Sequence, residues 1–176
     1  MRRAPDTTPK TPKNRSIFSM TASVITVSDS CARGLRKDAS GPAVKAELEK
    51  RGFTVSVCDL VADEQPLIEQ TIARQAASAD LVVTTGGTGI GARDVTPEAT
   101  RAVCDRLVEG IAERMRAVGA QSTPLAALSR AVCGIRERTL VLNVPGSPRA
   151  AVESLAAVVE LLPHALELLR GNTNHK

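Results

Sequence analysis

Short β-branched runs alternate with stretches of helical spacing along most of the chain. Ala22-Ser-Val-Ile-Thr-Val-Ser28 reads as a first strand, and Phe53-Thr-Val-Ser-Val-Cys-Asp-Leu60, with its apolar–polar alternation, as a second. Between them Asp29 to Ser40 is polar, contains Gly34 and reads as a long loop. A helix then opens at Ser40-Gly41-Pro42, places Val44 and Leu48 on one face and stops at Gly52. Asp63 precedes Leu67, Ile68, Thr71 and Ile72 at helical spacing and is a good N-cap for them. Asp80-Leu-Val-Val-Thr-Thr85 is a near-continuous apolar run, the kind a parallel sheet buries on both faces. Thr96 as N-cap, Pro97 at the first helical position and Glu98 in the first turn start a further helix, with Val103 and Leu107 as its apolar face. Residues 110–132 continue as helix broken near Thr123-Pro124. Thr139-Leu-Val-Leu-Asn-Val144 is another buried strand, and a last helix runs from about Arg149, bends at Pro163 and stops before Gly171. This alternation predicts an α/β fold, a three-layer α/β/α sandwich around a mainly parallel sheet.

At 176 residues the chain fits one domain, expected over residues 20–171. Residues 1–19 punctuate Pro5, Pro9 and Pro12 with Lys and Arg and read as a disordered basic extension, and 172–176 as a tail; Met20 directly precedes the first strand and could serve as a shorter start. The net charge of +4 belongs to that extension: Arg2, Arg3, Lys10, Lys13 and Arg15 oppose Asp6 alone, leaving a body of 18 basic and 18 acidic side chains. A solvated arm is the expectation, with no membrane and no specific nucleic acid as partner. Two Phe, no Tyr and no Trp leave little on which to stack bases and exclude any catalytic tyrosine. No apolar run is long enough to span a bilayer, and no apolar stretch follows the basic residues as in a signal peptide, so a cytoplasmic location is expected. Cys31, Cys58, Cys104 and Cys133 are scattered without a C-x-x-C pair, which argues against zinc and for reduced thiols.

Parallel strands carry their exit loops to one edge, where open α/β sheets bind ligands. Three such loops are rich in glycine, hydroxyls and carboxylates: Ser28-Asp29-Ser30, Thr84-Thr85-Gly86-Gly87-Thr88-Gly89, and Asn143-Val-Pro145-Gly146-Ser147-Pro148. The central loop suits a phosphate, because glycines expose backbone N–H groups and Thr85 and Thr88 add hydroxyls; a plain tight turn would use the same residues. There is no G-K-[ST] P-loop. Gly87-x-Gly89-x-x-Ala92 follows the third strand, not the first, and the short-chain dehydrogenase reading of Thr85–Gly91 lacks its tyrosine. Asp94, five residues past Gly89, is either a catalytic acid or an Arg-paired loop acid; Asp63 is either a metal-directed acid or the helix cap. Carboxylates beside phosphate point to Mg²⁺.

Val82-Val83-Thr-Thr-Gly-Gly-Thr-Gly89, four residues, Asp94 and Val-Thr-Pro-Glu-Ala-Thr100 resemble the signature of molybdenum cofactor biosynthesis proteins, in particular the Mog-type molybdopterin adenylyltransferases, a group that includes the gephyrin N-terminal domain. The likeness covers most of residues 22–170 and includes Val-Ser-Asp29, Lys-Asp-x-Ser-Gly-Pro42, Ala-Asp-Glu-Gln65, Leu-Ser-Arg130 and Leu-Asn-Val-Pro-Gly-Ser-Pro148. It implies transfer of AMP from ATP to the terminal phosphate of molybdopterin with Mg²⁺, a homotrimer, and delivery to a molybdenum-insertion protein. By the same likeness, Asp63 and Asp94 would handle metal and triphosphate, and Gly86, Gly87, Thr88 and Gly89 would cradle a phosphate. Asn143, Pro145, Gly146 and Ser147 would line the pterin side, with Ser28, Asp29, Ser40 and Gly41 as the remaining rim. Ala62 departs from the proline that relatives often carry before Asp-Glu-Gln. The rival is a MoaB-type protein that binds or carries the pterin without adenylylating it; such relatives often lack the Arg93-Asp-Val-Thr-Pro97 run, which is complete here.

Overall fold

The computed structural model describes residues 20–171; the basic extension and the tail expected from the sequence lie outside the described residues. Six strands, β1 (Met20–Val27), β2 (Phe53–Val61), β3 (Leu81–Thr85), β4 (Arg106–Leu107), β5 (Cys133–Arg136) and β6 (Thr139–Val144), form one sheet in the order β2-β1-β3-β6-β5-β4. β2, β1, β3 and β6 run parallel, while β5 and β4 append an antiparallel edge. The helices are α1 (Asp29–Ala32), α2 (Ser40–Lys50), α3 (Gln65–Ala76), α4 (Thr96–Val103), α5 (Glu109–Ser122), α6 (Pro148–Ala156) and α7 (Leu162–Leu169).

Alternation along the central strands divides the core into two layers. Ala22, Val24, Leu81, Val83, Leu140 and Leu142 meet Val44 and Leu48 of α2, Met115 of α5, and Leu155, Leu162 and Leu166 of α6 and α7. Ile25, Val27, Val82 and Val141 meet Ile68 and Ile72 of α3 and Ala99 of α4. Each fully buried Leu, Ile or Val contributes about 2 kcal/mol. Covered on both faces, β3 and β6 are buried at every position, whereas the edge strand β2 is largely exposed. The three-layer α/β/α architecture with a mainly parallel sheet is therefore the one expected.

Several local expectations are corrected. The segment after the first strand contains α1, because the Ser28 hydroxyl accepts from Cys31 N at 3.3 Å and caps a short turn. Asp63 does not cap α3: Glu64 holds the N-cap position without a side-chain bond, and the Asp63 carboxylate accepts from Asp29 N instead. Thr96 lies inside α4, and its hydroxyl donates to Gly86 O at 2.9 Å. The helix expected over 110–132 does break near Thr123-Pro124, α5 ending at Ser122, but a 3-10 turn (Pro124–Leu128) and then β5 follow in place of further helix. β4 and β5, two and four residues long, carry too few positions to show a period, so only their pairing defines them. The last helix breaks into α6 and α7, with Pro163 in the first turn of α7 and not at a bend.

Candidate functional site

Register aligns the exits of the central strands. Thr26 pairs with Thr85, and Thr85 with Val144, so residues 27–28, 86–89 and 145–147 leave the sheet at one edge. Val27 pairs with Val61, which brings Asp63 to the same edge. Chain order reverses between β1 and β3, the switch point of this sheet. There the turn after β3 is forced by steric fit. Gly86 has φ +106°, and a Cβ on it would lie 2.2 Å from Val27 O; Gly87 has φ +61°, and its Cβ would meet Thr96 Oγ1 at 2.4 Å. Only glycine satisfies both demands. Gly86 N also donates to Val144 O at 3.1 Å, tying the turn to the end of β6.

Three aspartates gather around this turn in different electrostatic settings. Asp29 and Asp63 bridge reciprocally: Asp29 N donates to Asp63 Oδ2 at 2.7 Å, and Asp63 N donates to Asp29 Oδ1 at 3.1 Å. Arg93 forks onto the Asp29 carboxylate, its Nε and Nη2 each at 3.0 Å. The N–H of Asp63 and then the Arg93 guanidinium hold the Asp29 carboxyl below its ordinary range. Burial pushes the Asp63 carboxyl up; the Asp29 N–H opposes this, the Asp29 charge adds to it, Arg93 opposes it and the Asp94 charge adds to it. Asp94 accepts from Gly91 N at 2.8 Å and has no ion-pair partner among the described residues, so it is not the Arg-paired loop acid its neighbour Arg93 suggested.

Asp63, Asp94 and the Gly86-Gly87 turn border a cleft of about 440 Å³. Of the residues expected at the site, Ser28, Ser40, Asp63, Gly86, Gly87 and Asp94 line it, joined by Gly146 and Ser147. Asn143 lies behind the cleft: it is fully buried, its Nδ2 donates to Thr84 Oγ1 and Thr100 Oγ1, and its Oδ1 accepts from Val132 N. Thr85 is buried as well and donates to Pro145 O at 2.7 Å, so Asn143 and Thr85 hold strand ends together without facing the cleft, and Pro145 is outside its lining too. Thr88, Gly89, Asp29 and Gly41 are also outside its lining. Gly41 N donates to Asp38 Oδ1 at 3.0 Å, while Asp38 Oδ2 accepts from Thr26 Oγ1, so Asp38 anchors the start of α2 beside the cleft.

Sequence reasoning assigned no role to Arg36, Lys37 and Asp38, which line the cleft, or to two arginines bonded to the loops around it. One is Arg93. The other is Arg130, whose backbone N donates to Thr88 O at 2.8 Å, Nε to Gly89 O at 2.7 Å and Nη2 to Asp94 O at 2.5 Å, while Nη1 pairs with Glu98. Lys37-Asp38 and Leu-Ser-Arg130 stood within the quoted motifs, but motif position carries no contact information. A second groove of about 450 Å³, between α4, α5 and residues 129–133, contains neither the glycine turn nor any of the three aspartates, and the chemistry of the strand exits favours the first cleft.

Fold and cleft together define a doubly wound α/β protein with an acidic, glycine-floored cleft at its switch point. Residues 23–164 match the family described as "Probable molybdopterin binding domain", and the chain belongs to it. A molybdopterin adenylyltransferase of Helicobacter pylori (strain ATCC 700392 / 26695) is 39% identical over 153 residues, covering 85% of this chain and 87% of that protein. One from Escherichia coli (strain K12) is 37% identical over 164 residues, covering 84% of each chain. Among solved structures, the molybdopterin biosynthesis enzyme MoaB from Thermus thermophilus is 49% identical, with a TM-score of 0.82 over 86% of this chain and 97% of that one. A MogA structure is 39% identical, with a TM-score of 0.79 over 85% of this chain and 99% of that one.

Proposed function

We propose that this chain is a molybdopterin adenylyltransferase, a nucleotidyltransferase of molybdenum cofactor biosynthesis that transfers AMP from ATP to molybdopterin and releases pyrophosphate. The observation that carries this reading is the meeting of Asp63 and Asp94, from two separate strand exits, with the Gly86-Gly87 turn at one cleft. Relatives named for this activity match over most of their own length. In the reaction an oxygen of the pterin's terminal phosphate attacks the α-phosphorus of ATP, the bond from that phosphorus to the β-phosphate bridging oxygen breaks, and pyrophosphate departs with the electron pair. No covalent enzyme intermediate is needed; the chain's part is orientation and charge placement. The backbone at Gly87 cradles a phosphate against the Gly86-Gly87 floor, the cations of Arg36 and Lys37 attract the polyanion, and the loop at 146–147 borders the pterin.

The donor set fits Mg²⁺. Asp63 and Asp94 offer hard carboxylate oxygens; burial first, and then the Asp29 and Asp94 charges, push the Asp63 carboxyl up, so a bound cation would relieve its ionised form. Two carboxylates suit an ion that keeps water and phosphate oxygens as its other ligands. Held by Asp63 and Asp94, it would neutralise phosphate charge. The protein acts in the cytoplasm as a homotrimer and passes adenylylated molybdopterin to a molybdenum-insertion protein. Among the described residues no helix is long and apolar enough to cross a membrane.

The likeness to MoaB at 49% identity keeps one other reading in play, a pterin carrier without transferase activity. Pyrophosphate release from ATP and Mg²⁺, measured with and without molybdopterin, separates the two. Release that depends on the pterin and is lost in Asp94→Ala is expected. Tight pterin binding without release would select the carrier, and absence of pterin binding would remove both.

A further inference from the structure

We propose that Arg93 and Asp29 form a strut that fixes the separation of the Asp63 and Asp94 carboxylates, so that both are positioning residues for the transfer and not substrate contacts. The proposal rests on the roles given above to Asp63 and Asp94. Those two acids come from different segments, one following β2 and one in the loop after β3, and no hydrogen bond joins them directly. Asp29, which opens α1 after β1, lies between. Its backbone N–H and its Oδ1 close a two-bond ring with the Asp63 side chain and backbone N–H, at 2.7 and 3.1 Å. The same carboxylate receives the Arg93 fork through two bonds of 3.0 Å, with Arg33 Nη2 at 3.6 Å from Oδ2. Arg93 is joined by one peptide bond to Asp94, whose carboxylate turns back onto Gly91 N.

An unbroken path therefore runs from Asp63 through Asp29 and Arg93 to Asp94, and it spans the switch point of the sheet. Asp29 is outside the cleft lining, and both its oxygens are engaged, so its chemistry is directed at Arg93 and Asp63 and not at a ligand. The geometry also demands arginine. Two parallel bonds to one carboxylate need a planar fork that the single ammonium of lysine does not provide. The opposite side of the loop is fixed separately by Arg130 through the carbonyls of Gly89 and Asp94, so losing the strut shifts the loop without releasing it.

The test is a double-mutant cycle on the full chain with Arg93→Gln, Asp29→Asn, the double variant and Arg93→Lys. Readouts are kcat and the KM for molybdopterin in the pyrophosphate assay, and Mn²⁺ affinity in the presence of ATP from the electron paramagnetic resonance of free Mn²⁺. Each single change is expected to lower kcat by roughly 10²-fold, the scale of an ångström misplacement, to weaken Mn²⁺ binding, and to leave the pterin KM within about twofold. The double variant should be no worse than either single one, because the pair acts as a unit. Lysine should not restore Arg93→Gln. Losses that multiply in the double variant, or an Arg93→Gln enzyme with intact kcat and raised pterin KM, would overturn the strut. Should Asp29→Asn fail to fold, Arg93→Gln and Arg93→Lys decide alone: equal loss of Mn²⁺ affinity in both supports the strut, and wild-type affinity in either refutes it. If the wild-type chain releases no pyrophosphate, the transferase reading falls, while shared, non-additive losses of Mn²⁺ affinity still uphold the strut.

Discussion

The two edges of this sheet treat the same residue type in opposite ways. At the amino edge, Asp80 precedes β3 and accepts from Thr21 N and Thr21 Oγ1, each at 2.8 Å, and from Arg170 Nη2, also at 2.8 Å. Burial alone would raise its pKa, but the Thr21 backbone N–H, then Arg170 and the Thr21 hydroxyl outweigh it and hold the carboxyl below its usual range. At the carboxyl edge, burial raises the Asp63 pKa, the Asp29 and Asp94 charges add to it, and the Asp29 N–H and Arg93 do not outweigh them. One edge satisfies its charge and ties β1, β3 and the end of α7 together. The other leaves negative charge under-compensated, where a cation or a polyphosphate complex would settle it. Charge compensation marks the first edge, and the ligand chemistry proposed above belongs to the second.

The sharpest break in that contrast is Asp94→Ala. It should lower AMP transfer by about 10²–10³-fold while leaving pterin affinity and the urea midpoint near wild type; a large stability loss with activity retained would reverse the assignment of edges. Next in size is Gly86→Ala, which combines a positive φ with a Cβ placed 2.2 Å from Val27 O. It is expected to cost about 3 kcal/mol in urea unfolding, and an unchanged midpoint would mean that the turn is not held as described.

Asp80→Ala removes hydrogen bonds and an ion pair and should cost about 1–2 kcal/mol at neutral pH. Because the folded pKa of Asp80 is lowered, its stabilisation is present above the unfolded pKa and is lost as pH falls through the folded one. The gap between variant and wild type should therefore narrow below about pH 4, as read from melting curves across pH. Smallest, and opposite in sign, is Asp63→Asn. With its folded pKa raised, the ionised Asp63 destabilises the fold above that pKa, and the penalty fades as pH falls below the unfolded value. The amide should raise Tm slightly at neutral pH while abolishing transfer, and a lower Tm there would show that the carboxylate is stabilising.

Much of the architecture was legible in the residues alone. The β-branched runs at 22–28, 53–60, 80–85 and 139–144 and the helical spacing between them locate four parallel strands, because burial on one or both faces imposes a period on the chain itself. The edge pair β4–β5 was not legible, since two and four residues carry no period. Capping was misread at Asp63 and Thr96 for a related reason. Acceptor and hydroxyl side chains before a helix suit a cap equally well as a long-range bond, and here Asp29 N and Gly86 O lie within reach once β1, β2 and β3 are aligned.

For the site, the glycine turn and both aspartates stood out in the residues, and motif order alone suggested what they handle. Which residues face the cleft did not follow. Asn143 belongs to the same motif as Gly146 and Ser147, but strand alternation turns it toward Thr100 on α4 and into the core. The Arg93–Asp29 fork joins residues 64 apart, and the Arg130 bonds to Gly89 and Asp94 span 41 and 36. By itself the sequence determined the four parallel strands, the main helices between them and the composition of the loops, because periodicity and turn chemistry act over a few residues. Tertiary structure alone decided which loops meet, which acid is compensated and which arginine holds which carbonyl, because those contacts depend on strand order and register.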